Sequence, residues 1–229
     1  MIGDYQISFI DSGPVHLPAG KVICVGLNYL AHAEEMGSKV VDEPVLFMKG
    51  TTALTCFDQP LSIPGGMGEC HYETEIAVLI GERCTRCNTE QARAAISGIG
   101  IALDLTLRDL QHQLKASGLP WAKAKAFDGS CPLSPFVPMS AVEDLNNLDF
   151  RLKLNGSTVQ EVNTSRMLRG VVDLISYISR YFTLLPGDIV LTGTPAGVGP
   201  LQQGDRIDAE IVGLLSVSTE VADCDRQIG

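Results

Sequence analysis

The segment HYETEIAVLIG, residues 71–81, has the composition of a β-strand but carries two acids in its first half. Residues 76–80 are continuously apolar, which is typical of a strand buried in a sheet. Side chains two residues apart on a strand share a face, so Glu73 and Glu75 are predicted to lie side by side, about 7 Å apart at their Cα atoms. Two like charges in a buried strand repel each other and need either a partner or water.

Two explanations fit this acidic pair. At a solvated strand edge each carboxylate would face water, whereas a divalent cation bound by both would remove the repulsion. Asp104 favours the cation, because it interrupts the apolar run GIGIALDLT (98–106), where an unpaired buried carboxylate is costly. Asp104 could instead cap the helix that follows. Three carboxylates without Cys or His suit a hard cation, so we expect Mg²⁺, with Mn²⁺ as the alternative.

The composition predicts a folded globular chain with one sizeable core. The 229 residues are 45% hydrophobic and 19% charged. No apolar run has the length of a membrane helix, and residues 1–13 lack the pattern of a signal peptide, so we expect a cytoplasmic protein with no membrane partner. The net charge of −10 gives no general attraction for nucleic acid. An anionic substrate would therefore need positive charge placed locally at its site.

The seven cysteines do not form a secreted disulfide pattern. Cys84 and Cys87 form a CxxC motif, but neither a second Cys pair nor a His pair completes a zinc site. A CxxC motif in a strand-to-helix context would indicate a redox protein, which stays an alternative. We expect reduced thiols in a reducing compartment.

The order of patterns predicts many strands and few helices. These do not alternate regularly, which indicates a β-rich α+β fold. We expect a short N-terminal segment, 1–20, and a single domain, 21–229, because no linker interrupts the chain. The predicted elements are strands at 21–26, 43–50, 71–81, 98–106, 206–212 and 214–221, a strand leaving into a Gly/Pro loop within 185–200, a hairpin at 151–161 with its turn at Asn155-Gly156, helices at 28–37, 89–97, 107–118 and 163–182, the last capped by Thr164 or Ser165, and an irregular loop at 118–135.

The predicted helix NYLAHAEEMG, 28–37, places two groups suited to acid–base chemistry on one face. His32 and Glu35 are three residues apart. A carboxylate beside an imidazole orients it and raises its basicity, which gives a base for moving a proton or activating water. An ordinary polar surface helix is the alternative.

Two later segments could hold an anion. Lys123 and Lys125 lie in WAKAKAFDGSCP, and a lysine near a metal can hold a carboxylate or a developing oxyanion. In LTGTPAGVG, 191–199, glycines after a strand expose backbone N–H groups that can cradle a carboxylate. Solvated lysines and a simple turn are the alternatives. The second segment lacks the GK[ST] of a phosphate loop, so a nucleotide is not expected.

In this order the segments resemble the fumarylacetoacetate hydrolase (FAH) superfamily, and most closely its short, single-domain acylpyruvase, oxaloacetate decarboxylase and oxaloacetate tautomerase group. The resemblance implies an FAH-type mixed β-sandwich roll with a few peripheral helices, and a homodimer. It covers residues 22–200 through VGLNYLAHAEEMG, EPVLFMKGTTAL, HYETE, ALDLTLRDLQ, GLPWAKAKAFDGSCPLSPFVP and GDIVLTGTPAGVGP.

The resemblance also implies roles for individual residues. The metal ligands for Mg²⁺ would be Glu73, Glu75 and Asp104, and the catalytic residues would be His32 and Glu35, in a segment that can act as a lid, and Lys125. The chain departs from the family pattern at Tyr72, where relatives often have histidine, and at Gly50, where they often have proline. The substrate-binding residues would be Asn28, Lys49, Arg108, Gln111, Gly193 and Thr194.

The expected substrate is a small anionic 2-oxo acid that binds the metal through its carboxylate and keto oxygen. One enolate would then serve acylpyruvate hydrolysis, oxaloacetate decarboxylation or oxaloacetate keto–enol tautomerisation. A catalytically silent metal- or carboxylate-binding member of the same fold is the alternative from another class.

Overall fold

The structure, a computed structural model, describes residues 5–38 and 42–222 and is rich in β-strands. The predicted β-rich α+β class is confirmed. The strands of the described residues are, in chain order, β1 (Gln6–Phe9), β2 (Gly13–Pro18), β3 (Val22–Gly26), β4 (Val45–Lys49), β5 (Leu54–Cys56), β6 (Cys70–Tyr72), β7 (Thr74–Ile80), β8 (Ile96–Leu103), β9 (Thr106–Leu107), β10 (Cys131–Leu133), β11 (Val137–Pro138), β12 (Asp149–Leu154), β13 (Ser157–Asn163), β14 (Ile189–Leu191), β15 (Gly199–Pro200), β16 (Arg206–Ile211) and β17 (Leu215–Glu220).

The helices are short and lie between the strands. The α-helices of the described residues are α1 (Leu30–Glu35), α2 (Thr89–Ala94), α3 (Arg108–Ala116), α4 (Ala122–Lys125) and α5 (Val171–Ser179), and the 3₁₀ turns are Thr51–Ala53, Met139–Ala141 and Thr164–Arg166. No helix in this part of the chain is both long and apolar enough to cross a membrane.

The centre of the fold is an eight-stranded mixed sheet in the order β4-β3-β14-β7-β8-β10-β5, with β11 paired to β8. The pairs β3–β14 and β5–β10 are parallel, and the other pairs are antiparallel. A four-stranded sheet, β13-β12-β16-β17, and a three-stranded sheet, β15-β6-β9, lie beside it.

Both faces of the central sheet are buried. Along β7, Ile76, Val78 and Ile80 pack into one apolar cluster, while Ala77 and Leu79 pack into a second cluster. The hairpin of β1 and β2 contributes to the second cluster. A strand covered on both faces reads as a continuous apolar run, which is why residues 76–80 show no polar alternation.

The predicted single strand at 71–81 is wrong in one respect, because it is interrupted at Glu73. β6 belongs to the three-stranded sheet and β7 to the central sheet. The segment paired with it is interrupted in the same way between β8 and β9. There the N–H of Asp104 donates to the carbonyl of Glu73 at 2.8 Å. Glu73 and Asp104 therefore lie opposite one another, at the point where both segments pass between the central sheet and the three-stranded sheet.

The predicted helix at 163–182 is also wrong at its start. Thr164–Arg166 form a 3₁₀ turn that Asn163 caps, and α5 begins only after Gly170. Asn28 explains the gap, because its side chain accepts a hydrogen bond from the N–H of Arg169 at 2.9 Å and holds that backbone outside the helix. The Thr164 hydroxyl accepts from the N–H of Leu148 instead of capping α5.

Other predicted elements are confirmed with shorter bounds or corrected locally. The 151–161 hairpin is confirmed, with Asn155 and Gly156 at φ 51° and 82°, as its tight turn requires. The predicted irregular loop at 118–135 contains α4 and β10. Cys84 and Cys87 lie side by side, with their Cα atoms 5.8 Å apart, and the expectation that their thiols are reduced stays a prediction. Four further cysteines are free thiols, namely Cys24, Cys56, Cys70 and Cys131, and Cys224 lies outside the described residues.

Candidate active site

Three buried carboxylates converge where the two sheets meet. Glu73, Glu75 and Asp104 each offer one oxygen, and these oxygens lie within 4.8 Å of one another. Their exposed fractions are 4%, 2% and 1%. β7 and β8 pair so that Glu75 lies opposite Ala102. This pair is one residue from the end of the ladder, where both strands leave the central sheet. The sequence separation of about thirty residues is thus closed by an antiparallel strand pair.

Lys125 and Arg108 surround this acidic cluster with positive charge. The ammonium of Lys125, at the end of α4, donates to Glu73 Oε2 and to Asp104 Oδ2, each at 2.7 Å. The guanidinium of Arg108, at the start of α3, donates to Glu73 Oε1 and, at 2.7 Å, to Gln111 Oε1. Glu73 is therefore held on both oxygens by cations.

These contacts shift the pKa values of the paired groups. Burial raises the pKa of the Glu73 carboxyl, but Lys125 and Arg108 outweigh it and hold that pKa well below its usual range. Burial lowers the pKa of Lys125, but Asp104 and Glu73 outweigh it and raise that pKa. Both groups are therefore charged at neutral pH and form a buried ion pair.

Glu75 has the opposite surroundings. Burial, followed by the charges of Asp104 and Glu73, raises the pKa of its carboxyl well above the usual range. Among the described residues its side chain accepts one hydrogen bond, from the Gly193 N–H at 2.6 Å. Gly193 has φ +97°, and an added Cβ would lie 2.8 Å from Cβ of Asn28, so this approach requires glycine.

The His32–Glu35 pair forms on α1. Nδ1 of His32 lies 3.2 Å from Oε2 of Glu35, and the other carboxylate oxygen accepts from the N–H of Gly197 at 3.0 Å. His32 is 6% exposed, whereas Glu35 lies toward solvent. Glu35 thus links the helix to the loop that follows β14, and its contact leaves Nε2 as the available nitrogen of the imidazole.

One cavity joins these groups. Of the predicted residues it is lined by His32, Glu73, Glu75, Asp104, Arg108, Gln111, Lys125 and Thr194.

Three predicted substrate contacts lie behind the cavity wall. Lys49 is fully buried, bonded to carbonyl oxygens of Lys125 and Ser130, and its Nζ lies 2.8 Å from Asp104 Oδ1. The Asn28 side chain donates to the carbonyl oxygens of Thr192 and Arg169. The N–H of Gly193 is taken by Glu75. All three positions support the cluster from outside instead of facing the cavity.

Sequence reasoning missed three residues at this site. Gln160, on β13, accepts from the Thr74 N–H at 3.0 Å and donates to Thr194 Oγ1, so it ties β7 to the 194–195 loop. Phe47 and Trp121 line the cavity with aromatic rings. Phe47 lies on a predicted strand, which is a weak signal, whereas Gln160 has no local signal at all.

The mixed β-roll, with a buried carboxylate cluster that lines a cavity, places this chain in the FAH-fold class. Residues 21–222 match the family described as fumarylacetoacetate (FAA) hydrolase, C-terminal, and the chain belongs to this family. It is similar to the oxaloacetate tautomerase YcgM of Escherichia coli (strain K12), with 53% identity over 191 residues, 83% of this chain and 87% of the relative. It is also similar to the mitochondrial oxaloacetate tautomerase FAHD1 of Bos taurus, with 44% identity over 200 residues, 87% of this chain and 90% of the relative.

A solved structure shares the whole fold. The fumarylpyruvate hydrolase from Pseudomonas aeruginosa, crystallised in complex with Mn²⁺ and pyruvate, superposes with a TM-score of 0.90 at 36% identity, covering 95% of each chain. The expected FAH-type roll is thereby confirmed.

Proposed function

We propose that this protein catalyses keto–enol tautomerisation of a small 2-oxo acid, with oxaloacetate as the first substrate to test. The observation that carries the proposal is the single cavity that brings a buried carboxylate cluster, two cations and the His32 imidazole together. Relatives at 53% and 44% identity are named oxaloacetate tautomerases, which supports the choice of substrate.

The donor set fits a divalent cation. Three carboxylates without a thiolate suit a hard ion. The Lys49 contact to Asp104 Oδ1 is a charge contact without hydrogen-bond geometry, so this buried oxygen keeps an unused acceptor position. Burial and the neighbouring acids Asp104 and Glu73 raise the pKa of Glu75, so a cation placed between them would favour its charged form. Glu73, Glu75 and Asp104 would hold Mg²⁺ or Mn²⁺, which when bound stabilises negative charge on the keto oxygen of a 2-oxo acid.

His32 is the group that moves the proton. Glu35 orients the imidazole through Nδ1, so Nε2 gives a proton to C3 of the enol form and removes it in the reverse direction. Nε2 first takes the proton from the enol hydroxyl on C2 and then gives this same proton to C3, so the substrate ends as the keto form and the imidazole returns to its starting state. The dyad therefore needs no further acid to balance the isomerisation.

Lys125, Arg108 and Thr194 hold the anionic oxygens of the substrate. All three line the cavity, and the two cations are already fixed by ion pairs before a ligand arrives. Donors fixed in advance stabilise a developing enolate without reorganisation. Gln111 positions the guanidinium of Arg108 through its 2.7 Å hydrogen bond.

Hydrolysis of acylpyruvates is the second candidate activity. The superposition on a fumarylpyruvate hydrolase over 95% of both chains favours it. The same His32 could activate a water molecule, which would attack the distal carbonyl and release pyruvate. Loss of CO₂ from oxaloacetate is the third outcome of the same enolate chemistry.

An absorbance assay tests the proposal. Purified protein with Mg²⁺ is expected to accelerate disappearance of the oxaloacetate enol, while coupled assays follow pyruvate and CO₂ separately. Ala at Glu73 or Asp104 is expected to abolish the acceleration, and Glu82→Gln, an exposed acid outside the cavity, is expected to leave it unchanged. Metal binding without turnover of oxaloacetate or acetylpyruvate would identify a catalytically silent member, and activity that EDTA leaves intact would remove the metal.

The cellular setting belongs to the same proposal. We place the active protein in the cytoplasm as a homodimer, with residues 21–229 as one catalytic unit. The E. coli relative supports a bacterial setting, whereas the B. taurus relative is named mitochondrial. Cell fractionation and light scattering on a sizing column test location and oligomeric state, and a monomeric mass would exclude the dimer.

A further inference from the structure

One face of α3 runs from the acidic cluster to the mouth of the cavity. Arg108, Gln111 and Lys115 are spaced i, i+3 and i+7, so they share a face of the helix, and all three line the cavity. Arg108 and Gln111 are buried, whereas Lys115 is exposed. At a rise of 1.5 Å per residue, Lys115 lies about 10 Å further along the axis than Arg108.

Phe47 and Trp121 form an aromatic wall of the same cavity. The Lys125 ammonium lies 5.2 Å from the ring centroid of Phe47, and that ring lies 6.1 Å from the ring of Trp121, edge to face. The Lys115 ammonium lies 5.9 Å from the ring of Trp121. The wall therefore has one cation at its buried end and a second cation at its exposed end.

The second cation differs from the others in its partners. Lys125 and Arg108 are paired with carboxylates of the cluster. Lys115 lines the cavity but forms no ion pair with any residue in 5–38 or 42–222. In a chain of net charge −10, an unpaired ammonium held over an indole at a cavity mouth is available to an anionic ligand.

We propose that Lys115, supported by Trp121, binds the distal carboxylate of a dicarboxylic 2-oxo acid whose keto-acid end lies at the Glu73–Glu75–Asp104 cluster. The inference rests on the proposed function, since it takes the keto-acid end from it. The apolar rings of Phe47 and Trp121 then pack along the carbon chain between the two carboxylates. The site thereby selects chains that end in a second negative charge over chains of equal length that end in a methyl group.

Equilibrium binding of two ligands that enolisation leaves unchanged at equilibrium and that cannot be hydrolysed tests this selection. 2-Oxoadipate and 2-oxohexanoate have the same chain length and differ in the second carboxylate, and neither carries the β-carbonyl needed for C–C hydrolysis. Calorimetry on the Mg²⁺-loaded protein is expected to show tighter binding of 2-oxoadipate. Lys115→Ala is expected to weaken 2-oxoadipate about 3- to 5-fold, the range of a solvent-exposed ion pair, and to leave 2-oxohexanoate unchanged.

Matched variants sharpen the result. Lys123→Ala removes an exposed lysine of α4 that does not line the cavity, so it is expected to change neither affinity. Lys115→Arg should retain the preference, and added salt should shrink it in the unmodified protein. The inference is overturned if Lys115→Ala weakens both ligands equally, if it weakens neither, or if neither ligand binds. Absence of turnover with oxaloacetate and acetylpyruvate would instead count against the proposed function, because the binding preference is measured without turnover.

Discussion

Glu73 and Glu75 are two residues apart in the chain and meet opposite electrostatic conditions. Lys125 and Arg108 hold the pKa of Glu73 low, whereas burial and two neighbouring acids raise the pKa of Glu75. The neutral Glu75 carboxyl stabilises the fold below the ordinary glutamate pKa of about 4.3, and this contribution is lost as pH rises through the folded pKa. Without a bound cation, the folded protein therefore disfavours the charged form of Glu75 and favours the charged form of Glu73.

We predict that Glu75→Gln stabilises the metal-free protein at neutral pH. Glutamine has no proton to lose, so the substitution removes the cost that the fold imposes on ionising this carboxyl and should raise the free energy of unfolding by about 1–3 kcal/mol. The gain should shrink as pH falls toward the ordinary glutamate pKa, because the unmodified carboxyl is then neutral. Thermal unfolding in EDTA between acidic and neutral pH measures both effects.

The same substitution at Glu73 is the control, and its expected sign is opposite. Glu73→Gln breaks a buried ion pair and should cost about 3–5 kcal/mol at neutral pH. The stabilising charge of Glu73 is present above the ordinary glutamate pKa and is lost as pH falls below it. Equal destabilisation by both variants would contradict the difference in their surroundings.

At the residue scale the sequence predicts which side chains carry chemistry better than what each one contacts. Asp104 stands out because an acid at the end of an apolar strand has few structural explanations. Asn28, Lys49 and Gly193 are recognisable as members of the site, yet their contacts to Thr192, Asp104 and Glu75 depend on segments far away in the chain. Gln160 could not be found, because the Thr74 N–H it satisfies is 86 residues away.

At the scale of elements, one carboxylate of α1 links the His32 imidazole to the loop that follows β14. Glu35 contacts His32 with one oxygen and the Gly197 N–H with the other. We predict that Glu35→Gln lowers kcat about 10- to 100-fold, the usual loss when the group orienting a functional histidine is changed, with little change in KM or Mg²⁺ affinity. Steady-state kinetics on the oxaloacetate enol and metal titration measure the three quantities.

Glu34→Gln is the matched control for that prediction. Glu34 is the exposed neighbour on the same helix and does not line the cavity. It tests whether charge on α1 alone affects turnover. If Glu34→Gln lowers kcat as much as Glu35→Gln, the orientation of His32 is not the cause.

Element boundaries follow from the sequence where local signals decide them. The Asn155-Gly156 turn is such a case, since both residues adopt positive φ. The interruption at Glu73 and the late start of α5 could not be predicted, because Gln160 and Asn28 impose them from other parts of the fold. A strand or helix pattern carries no information on such distant hydrogen bonds.

At the scale of the whole molecule, a ligand that binds the folded chain alone adds to its stability. We predict that Mg²⁺ raises the melting temperature. At a concentration of 100 Kd it should add about 2.7 kcal/mol, at about 2–4 °C per kcal/mol for a chain of this size. Differential scanning calorimetry with Mg²⁺ and with EDTA measures the shift.

Two variants define the origin of that shift. Asp104→Asn and Glu75→Gln should lose most of it, and Glu82→Gln should keep it. An equal Mg²⁺ shift in all of these proteins would place the bound ion elsewhere on an acidic surface.

The β-rich roll itself could be predicted from the order of its motifs, whereas the pairing order of its central sheet could not be read from local patterns.

Lys125 has a consequence for the life of the protein before it meets a metal. Its ammonium already bridges Glu73 and Asp104, so the chain carries its own counter-ion and can complete folding in a cell compartment poor in divalent ions. Binding of a cation by Glu73 and Asp104 would then add a second positive charge at a position that is already formed. Lys125 would remain beside these carboxylates as a hydrogen-bond donor for an incoming anion.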